Sequence, residues 1–124
     1  ELWNNLPEQD AFLESMAASA QSVADYFGDN ILYINVMNNL SIDCDCDSNP
    51  HDPEMKDIGI LASTDPVALD QACLDLVYAV KPTEGNDNRP LVNRIESLHG
   101  RHTVDYAETI GLGSKNYELV VLDT

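Results

Sequence analysis

The chain has 124 residues, an ordinary apolar share of 44% and a formal net charge of −16, with 22 acidic against 6 basic residues. A domain of this length buries a core without disulfide bonds, and a negative field repels phosphate backbones, so we expect no nucleic-acid partner. No apolar run is long enough to span a bilayer, so we expect no membrane partner.

The beginning of the chain and its cysteines indicate a cellular compartment. No signal-peptide pattern opens the sequence, and an odd set of three cysteines does not form a disulfide framework. We therefore expect a cytoplasmic protein with reduced thiols. The start at Glu1 rather than Met is typical of a piece of a longer protein.

The first half of the chain predicts a helix, a strand, a long loop and a second strand. The helix runs from Pro7 to Phe27, with proline in its first turn and an apolar stripe at three- and four-residue spacing. Ile31–Met37 and Ile58–Ala62 are dense in branched residues and predict short buried strands. Between them, Asn38–Lys56 predicts a polar loop of a length that is usually functional. The apolar stripe of the predicted Pro7–Phe27 helix consists of Phe12, Met16, Ala20, Val23 and Phe27.

The second half predicts three helices and a last strand. Asp65 and Pro66 supply the cap and first residue of a helix that ends before Pro82. After a polar linker, the next segments are helices at Pro90–Leu98 and Val104–Ile110 and a strand at Tyr117–Leu122. The order α-β-loop-β-α-α-α-β predicts one α/β domain with a small mixed or parallel sheet flanked by helices. We expect other strands to come from a longer protein.

Most of the chemistry lies in the segment Asp43-Cys44-Asp45-Cys46-Asp47. If this segment is extended, its two thiols lie on one side and its three carboxylates on the other. Thiolates favour zinc, copper(I) or iron–sulfur clusters. Structural zinc and cubane clusters use about four protein ligands, so His51, an aspartate, water or another domain would have to complete the site. The predicted ligands are Asp43, Cys44, Asp45, Cys46, Asp47 and His51.

The carboxylates of the same loop suggest a hard cation as an alternative. Asp43, Asp45, Asp47 and Glu54 occupy positions 1, 3, 5 and 12 of a calcium-binding loop. Ser48 replaces the glycine that such a loop needs for its sharp turn, so a looser calcium or magnesium site is the better hypothesis. So many anions close together predict something positive among them.

Other reactive side chains have structural explanations. Cys73 falls on the apolar face of its helix, where a thiol packs as a small hydrophobe. His99 and His102 are predicted to lie on a solvated turn between two helices. Asp65 is predicted to cap its helix, and Asp70 to face solvent.

Five segments resemble the uncharacterised iron–sulfur-centre proteins, a bacterial and archaeal family with a domain of unknown function. They are Cys44–Cys46, Asp57–Ser63, Asp65–Val77, Tyr106–Ser114 and Tyr117–Leu119. The resemblance covers nearly the whole chain and implies the C-terminal part of such a protein. It also implies an upstream ferredoxin-type domain with four closely spaced cysteines, because this chain has no such module.

Three functions follow from these observations. The first is a metal-binding domain of an iron–sulfur redox protein, with zinc or iron in the loop, a 4Fe–4S cluster upstream and an electron-transfer partner. The second is an enzyme domain whose aspartates hold a divalent metal. The third is an acidic interaction module without metal, whose binding to a basic partner weakens with salt.

Overall fold

The structure, a computed structural model, describes residues 8–44 and 46–122. Its elements are α1 (Gln9–Phe27), β1 (Tyr33–Met37), β2 (Gly59–Ser63), α2 (Pro66–Ala79), α3 (Arg89–Ser97) and α4 (Gly100–Thr109). The α/β class and the order of these six elements are confirmed. The predicted helix start at Pro7 lies outside the described residues. None of the described helices has the length and apolarity to cross a membrane.

β1 and β2 form an antiparallel pair, with Tyr33 opposite Ser63 and Met37 opposite Gly59. The sheet is therefore not mixed or parallel as predicted. The two strands run in opposite directions because the long loop returns the chain directly to β1, without the crossover helix that a parallel pair needs. Asn35, at the centre of β1, faces α2 and donates its side-chain N–H to Asp70 Oδ1 over 2.8 Å.

The predicted strand at Tyr117–Leu122 does not form within the described residues, because this segment pairs with neither β1 nor β2. Its first side chain is fixed elsewhere: the Tyr117 hydroxyl donates to Asp75 Oδ2 on α2 over 2.6 Å. The apolar residues that follow it, up to Leu122, are exposed. A branched apolar sequence favours a strand only where an edge is available to pair its backbone.

α2 forms where its sequence predicts it and packs against both strands and α4. The Asp65 side chain accepts hydrogen bonds from the Val67 and Ala68 amides at 2.9 and 3.1 Å, which satisfies two donors of the first turn. Beyond the other end, the buried Asn88 side chain donates to the Val77 carbonyl over 2.8 Å. Five helix residues enter the core, namely Val67, Ala68, Leu69, Ala72 and Val77.

α1 packs on α4 through small side chains. Leu13 and Ala17 of α1 are buried, as are Val104 and Ala107 of α4. Of the predicted stripe, Met16, Val23 and Phe27 are exposed and Phe12 is half-buried. The stripe therefore does not mark the buried side of α1.

Polar contacts also join α1 to the α3–α4 junction. His99 has a left-handed backbone, with φ of 56°, and its Nδ1 lies 2.7 Å from Asp10 Oδ1. His102 Nε2 lies 3.1 Å from Glu14 Oε1. The Gln9 amide donates to the Leu98 carbonyl over 2.9 Å. His99 thus lies on an exposed turn between α3 and α4, as predicted, whereas His102 lies within α4 and is half-buried. Both histidines also contact α1.

We expect the Asp10–His99 pair to make stability sensitive to acid. The hydrogen bond from His99 lowers the pKa of Asp10 below its ordinary value of 3.8. A carboxyl whose folded pKa is depressed stabilises the fold above its unfolded pKa, and that contribution is lost as pH falls through the folded pKa. In urea unfolding, Asp10→Asn should therefore be less stable than the unmodified protein at about pH 5. The two curves should converge below pH 3.8; a constant difference would contradict the pairing.

Candidate functional site

The long loop between β1 and β2 begins and ends at one place. The Ile58 amide donates to the Met37 carbonyl over 2.9 Å, and the Asn39 amide donates to Asp57 Oδ1 over 2.8 Å. Asn39 has a left-handed backbone, with φ of 56°, which asparagine tolerates better than most residues. These contacts close the loop, so its middle projects from a fixed base.

The second half of the loop is anchored in the core. Met55 is buried in a cluster with Met37 and Val77. The backbone on either side of it is also held: the Lys56 amide donates to Asn86 Oδ1 over 2.9 Å, and the Glu54 carbonyl accepts from the Asp87 amide over 2.8 Å. In the middle of the loop, from residue 44 to residue 52, every described residue is exposed.

An arginine of α3 holds the first acid of the predicted site. Arg94 Nη1 lies 2.7 Å from Asp43 Oδ1; the arginine is exposed and the aspartate half-buried. The Ser41 hydroxyl donates to the Asp43 carbonyl over 2.8 Å. The sequence predicted a positive group among the acids of the loop. For Asp43, that group is the guanidinium of Arg94. One oxygen of the carboxylate is already engaged, which weakens the calcium-loop hypothesis.

The Cys–Asp segment is a turn rather than an extended strand. The Asp47 amide donates to the Cys44 carbonyl over 2.9 Å, a hydrogen bond typical of a turn. The Cys46 amide donates to Cys44 Sγ at 3.4 Å, and the Asn49 amide donates to Asp47 Oδ1 at 3.0 Å. The described part of the segment is therefore not extended, which is the condition on which the predicted alternation of thiols and carboxylates depends. Asp45 lies outside the described residues.

The two thiols of the turn are exposed, and Cys44 affects the pKa of Cys46. A hydrogen bond with Cys44 raises the pKa of Cys46, and the negative charges of Cys44 and Asp47 raise it further. Two thiols thus lie together on one solvent-facing turn. A soft metal that binds them has to displace their protons, because the thiolate is the form that ligates.

The other predicted ligands do not complete a site. Asp47 and His51 are exposed, and the described residues contain no set of three histidine, cysteine or acidic side chains placed to hold one ion. An iron–sulfur cluster does not fit the chain's own cysteines, because a cubane takes about four and Cys73 lies elsewhere. What the described turn offers is two exposed thiols.

Cys73 belongs to the core, as predicted. It packs beside Met37 and Val77, and its Sγ lies 3.4 Å from the side-chain nitrogen of Asn35. Burial raises the pKa of the Cys73 thiol, which keeps it protonated at neutral pH. Asp70 accepts from the same Asn35 amide, so it supports β1 on α2 and is not simply solvated.

Sequence reasoning missed a contact between Asp65 and the turn after α4. The Ser114 amide donates to Asp65 Oδ2 over 2.9 Å, while Oδ1 caps α2. A side chain at Gly113 would collide with this carboxylate. Two segments of the family resemblance, Asp65–Val77 and Tyr106–Ser114, therefore meet through one carboxylate.

Fold and loop define a small acidic α/β domain that carries a dithiol on an exposed turn. The chain belongs to the family described as a domain of unknown function, DUF362, whose model matches residues 2–75. That range includes α1, both strands and the whole loop with Cys44 and Cys46. No curated protein and no solved structure matches the chain. The match supports the domain-of-unknown-function part of the resemblance, and iron–sulfur chemistry stays a prediction.

Proposed function

We propose that this chain is the metal-binding domain of an iron–sulfur redox protein and binds a soft metal ion through Cys44 and Cys46. The observation that carries the proposal is the turn itself, which presents two thiols to solvent beside each other. The raised pKa of Cys46 makes it a poor nucleophile near neutral pH. Bidentate binding of one ion is the chemistry that such a pair supports best.

The choice of ion follows from the donor atoms. Sulfur ligands favour zinc or iron over calcium or magnesium. The remaining ligands would be Asp47, His51, Asp45, water or groups of another domain. Asp43 contributes negative charge at the base of the turn rather than a ligand, since Arg94 engages it. When bound, the ion would supply either a fixed structural link or a redox centre.

The cluster implied by the resemblance is assigned to a ferredoxin-type module outside this chain. The chain has three cysteines, and one of them packs in the core. In this proposal the domain positions a metal site near such a module or near an electron-transfer partner. The metal-dependent enzyme hypothesis is less well supported, because it relies on free carboxylates and Asp43 is paired.

The test is metal titration of protein with Cys44 and Cys46 both changed to serine. Cobalt(II) serves as a coloured substitute for zinc, since thiolate ligation gives it strong near-ultraviolet absorption. We expect the unmodified protein to bind one equivalent with that absorption. The double variant should lose the absorption and bind more than about a hundredfold more weakly, because losing even a supporting residue can cost that much.

Cys73→Ala is the matched control, because it removes a thiol that packs in the core. It should retain the absorption and the stoichiometry. After purification without chelators, the unmodified protein and Cys73→Ala should contain zinc, and the double variant should contain much less. Equal metal content in the double variant and the unmodified protein would show that the thiols are not ligands.

A further inference from the structure

The sheet has one covered face and one open face. Tyr33, Asn35 and Met37 of β1 point toward α2, and the residues between them point the other way. On the open face, Leu32, Ile34, Val36 and Ile60 are 61, 58, 60 and 67% exposed. Val36 is paired with Ile60 and Ile34 with Ala62, so these side chains form one aliphatic patch across both strands.

The open face is more apolar than the covered one. The covered face includes the polar side chains of Asn35 and Ser63, whereas the open patch contains only aliphatic residues. An antiparallel sheet with one solvated face normally carries polar residues on that face, so an aliphatic open face is unusual. A patch of this kind on a soluble domain marks an interaction surface.

The dimensions of the patch fit one helix. Two strands about 4.8 Å apart, with their side chains, span roughly the 10 Å diameter of a helix. A five-residue strand is about 17 Å long, which corresponds to some 11 residues of helix. In an α/β layer the second face of a sheet is covered by helices.

Charge defines the chemistry of that helix. Asp29 precedes β1 and Asp57 precedes β2, and because the strands are antiparallel these acids lie at opposite ends of the patch. The net charge of −16 repels a second copy of the chain. We propose that the patch of Leu32, Ile34, Val36, Ile60 and Ala62 docks an amphipathic helix with an aliphatic face and basic flanks.

The test uses two synthetic helical peptides of equal length, one of leucine and lysine and one of leucine and glutamate. Fluorescence anisotropy measures the binding of each to the protein. We expect the basic peptide to bind and the acidic peptide to bind at least about tenfold more weakly. The triple variant Ile34→Thr, Val36→Thr and Ile60→Thr should weaken the basic peptide by about tenfold or more, since apolar area is lost while charge and strand propensity stay the same.

The matched control changes three other exposed apolar residues to threonine: Val120, Val121 and Leu122. It should bind the basic peptide as the unmodified protein does, and circular dichroism should show the same fold in all three proteins. Equal binding of both peptides, or equal binding by the sheet variant, would overturn the proposal. So would a dimer of the unmodified protein in sedimentation that the sheet variant dissociates, because the occupant would then be a second copy.

Discussion

Replacing Gly113 with alanine is expected to destabilise the domain by about 2–4 kcal/mol. The added Cβ would lie 2.0 Å from Oδ1 of Asp65, 2.7 Å from its Cγ and 3.0 Å from its Oδ2. The carboxylate cannot move aside without cost, because the amides of Val67, Ala68 and Ser114 all donate to it. Urea unfolding of the variant and the unmodified protein gives the difference in free energy directly.

A double variant separates this contact from a general effect of alanine at the turn. In an Asp65→Ala background the three colliding atoms are gone, so adding Gly113→Ala should cost much less than it does in the unmodified protein. The difference between the two costs is the coupling energy of the pair. If alanine at Gly113 costs the same in both backgrounds, the collision is not the cause.

Removing the carboxylate itself is expected to cost about 2–3 kcal/mol. Asp65→Ala loses the cap of α2, worth about 1 kcal/mol, and the charged hydrogen bond to Ser114, worth about 1.5–3 kcal/mol. Part of this loss is recovered when water reaches the freed amides. Urea unfolding measures the total, and amide hydrogen exchange locates it: protection should fall at Val67, Ala68 and Ser114.

Two substitutions calibrate that result. Asp65→Asn keeps one acceptor oxygen but replaces the other with a donor, so it should fall between the alanine variant and the unmodified protein. Asp29→Ala removes an exposed acid outside α1 and β1, and should change stability by less than about 0.5 kcal/mol. Loss of protection at the α2 amides without loss at Ser114 would mean that Asp65 acts only as a helix cap.

Local signals in the sequence were sufficient for most of the fold. Asp65 and Pro66 start α2 as predicted, and the described ends of the helices and of β1 and β2 lie within a few residues of their predicted places. The pairing of strands was not predictable in this way. Whether β1 and β2 run parallel, and whether Tyr117–Leu122 finds an edge, depends on contacts between distant segments.

In the candidate site, too, local features were predictable from the sequence and contacts between distant residues were not. The Cys–Asp segment was identified from its composition, and the core position of Cys73 from helical spacing. Arg94 was not identified as the partner of Asp43, because 51 residues separate them and an exposed arginine has many available partners. The link between Asp65 and Ser114, 49 residues apart, was missed for the same reason. The turn at Cys44 was missed because its alternating letters also fit an extended chain.

The pairing of α1 with α4 has a consequence for how the chain is made. Hydrogen bonds from α1 to residues on either side of α4 join positions 89 apart, from Gln9 to Leu98 and from Gln21 to Ile110. During synthesis, α1 leaves the ribosome long before α4 does. The α1 side chains that pack on α4 therefore stay exposed to water until α4 has emerged. Contacts of such separation slow folding. The negative charge of the chain repels other copies of it during this interval, which disfavours their association.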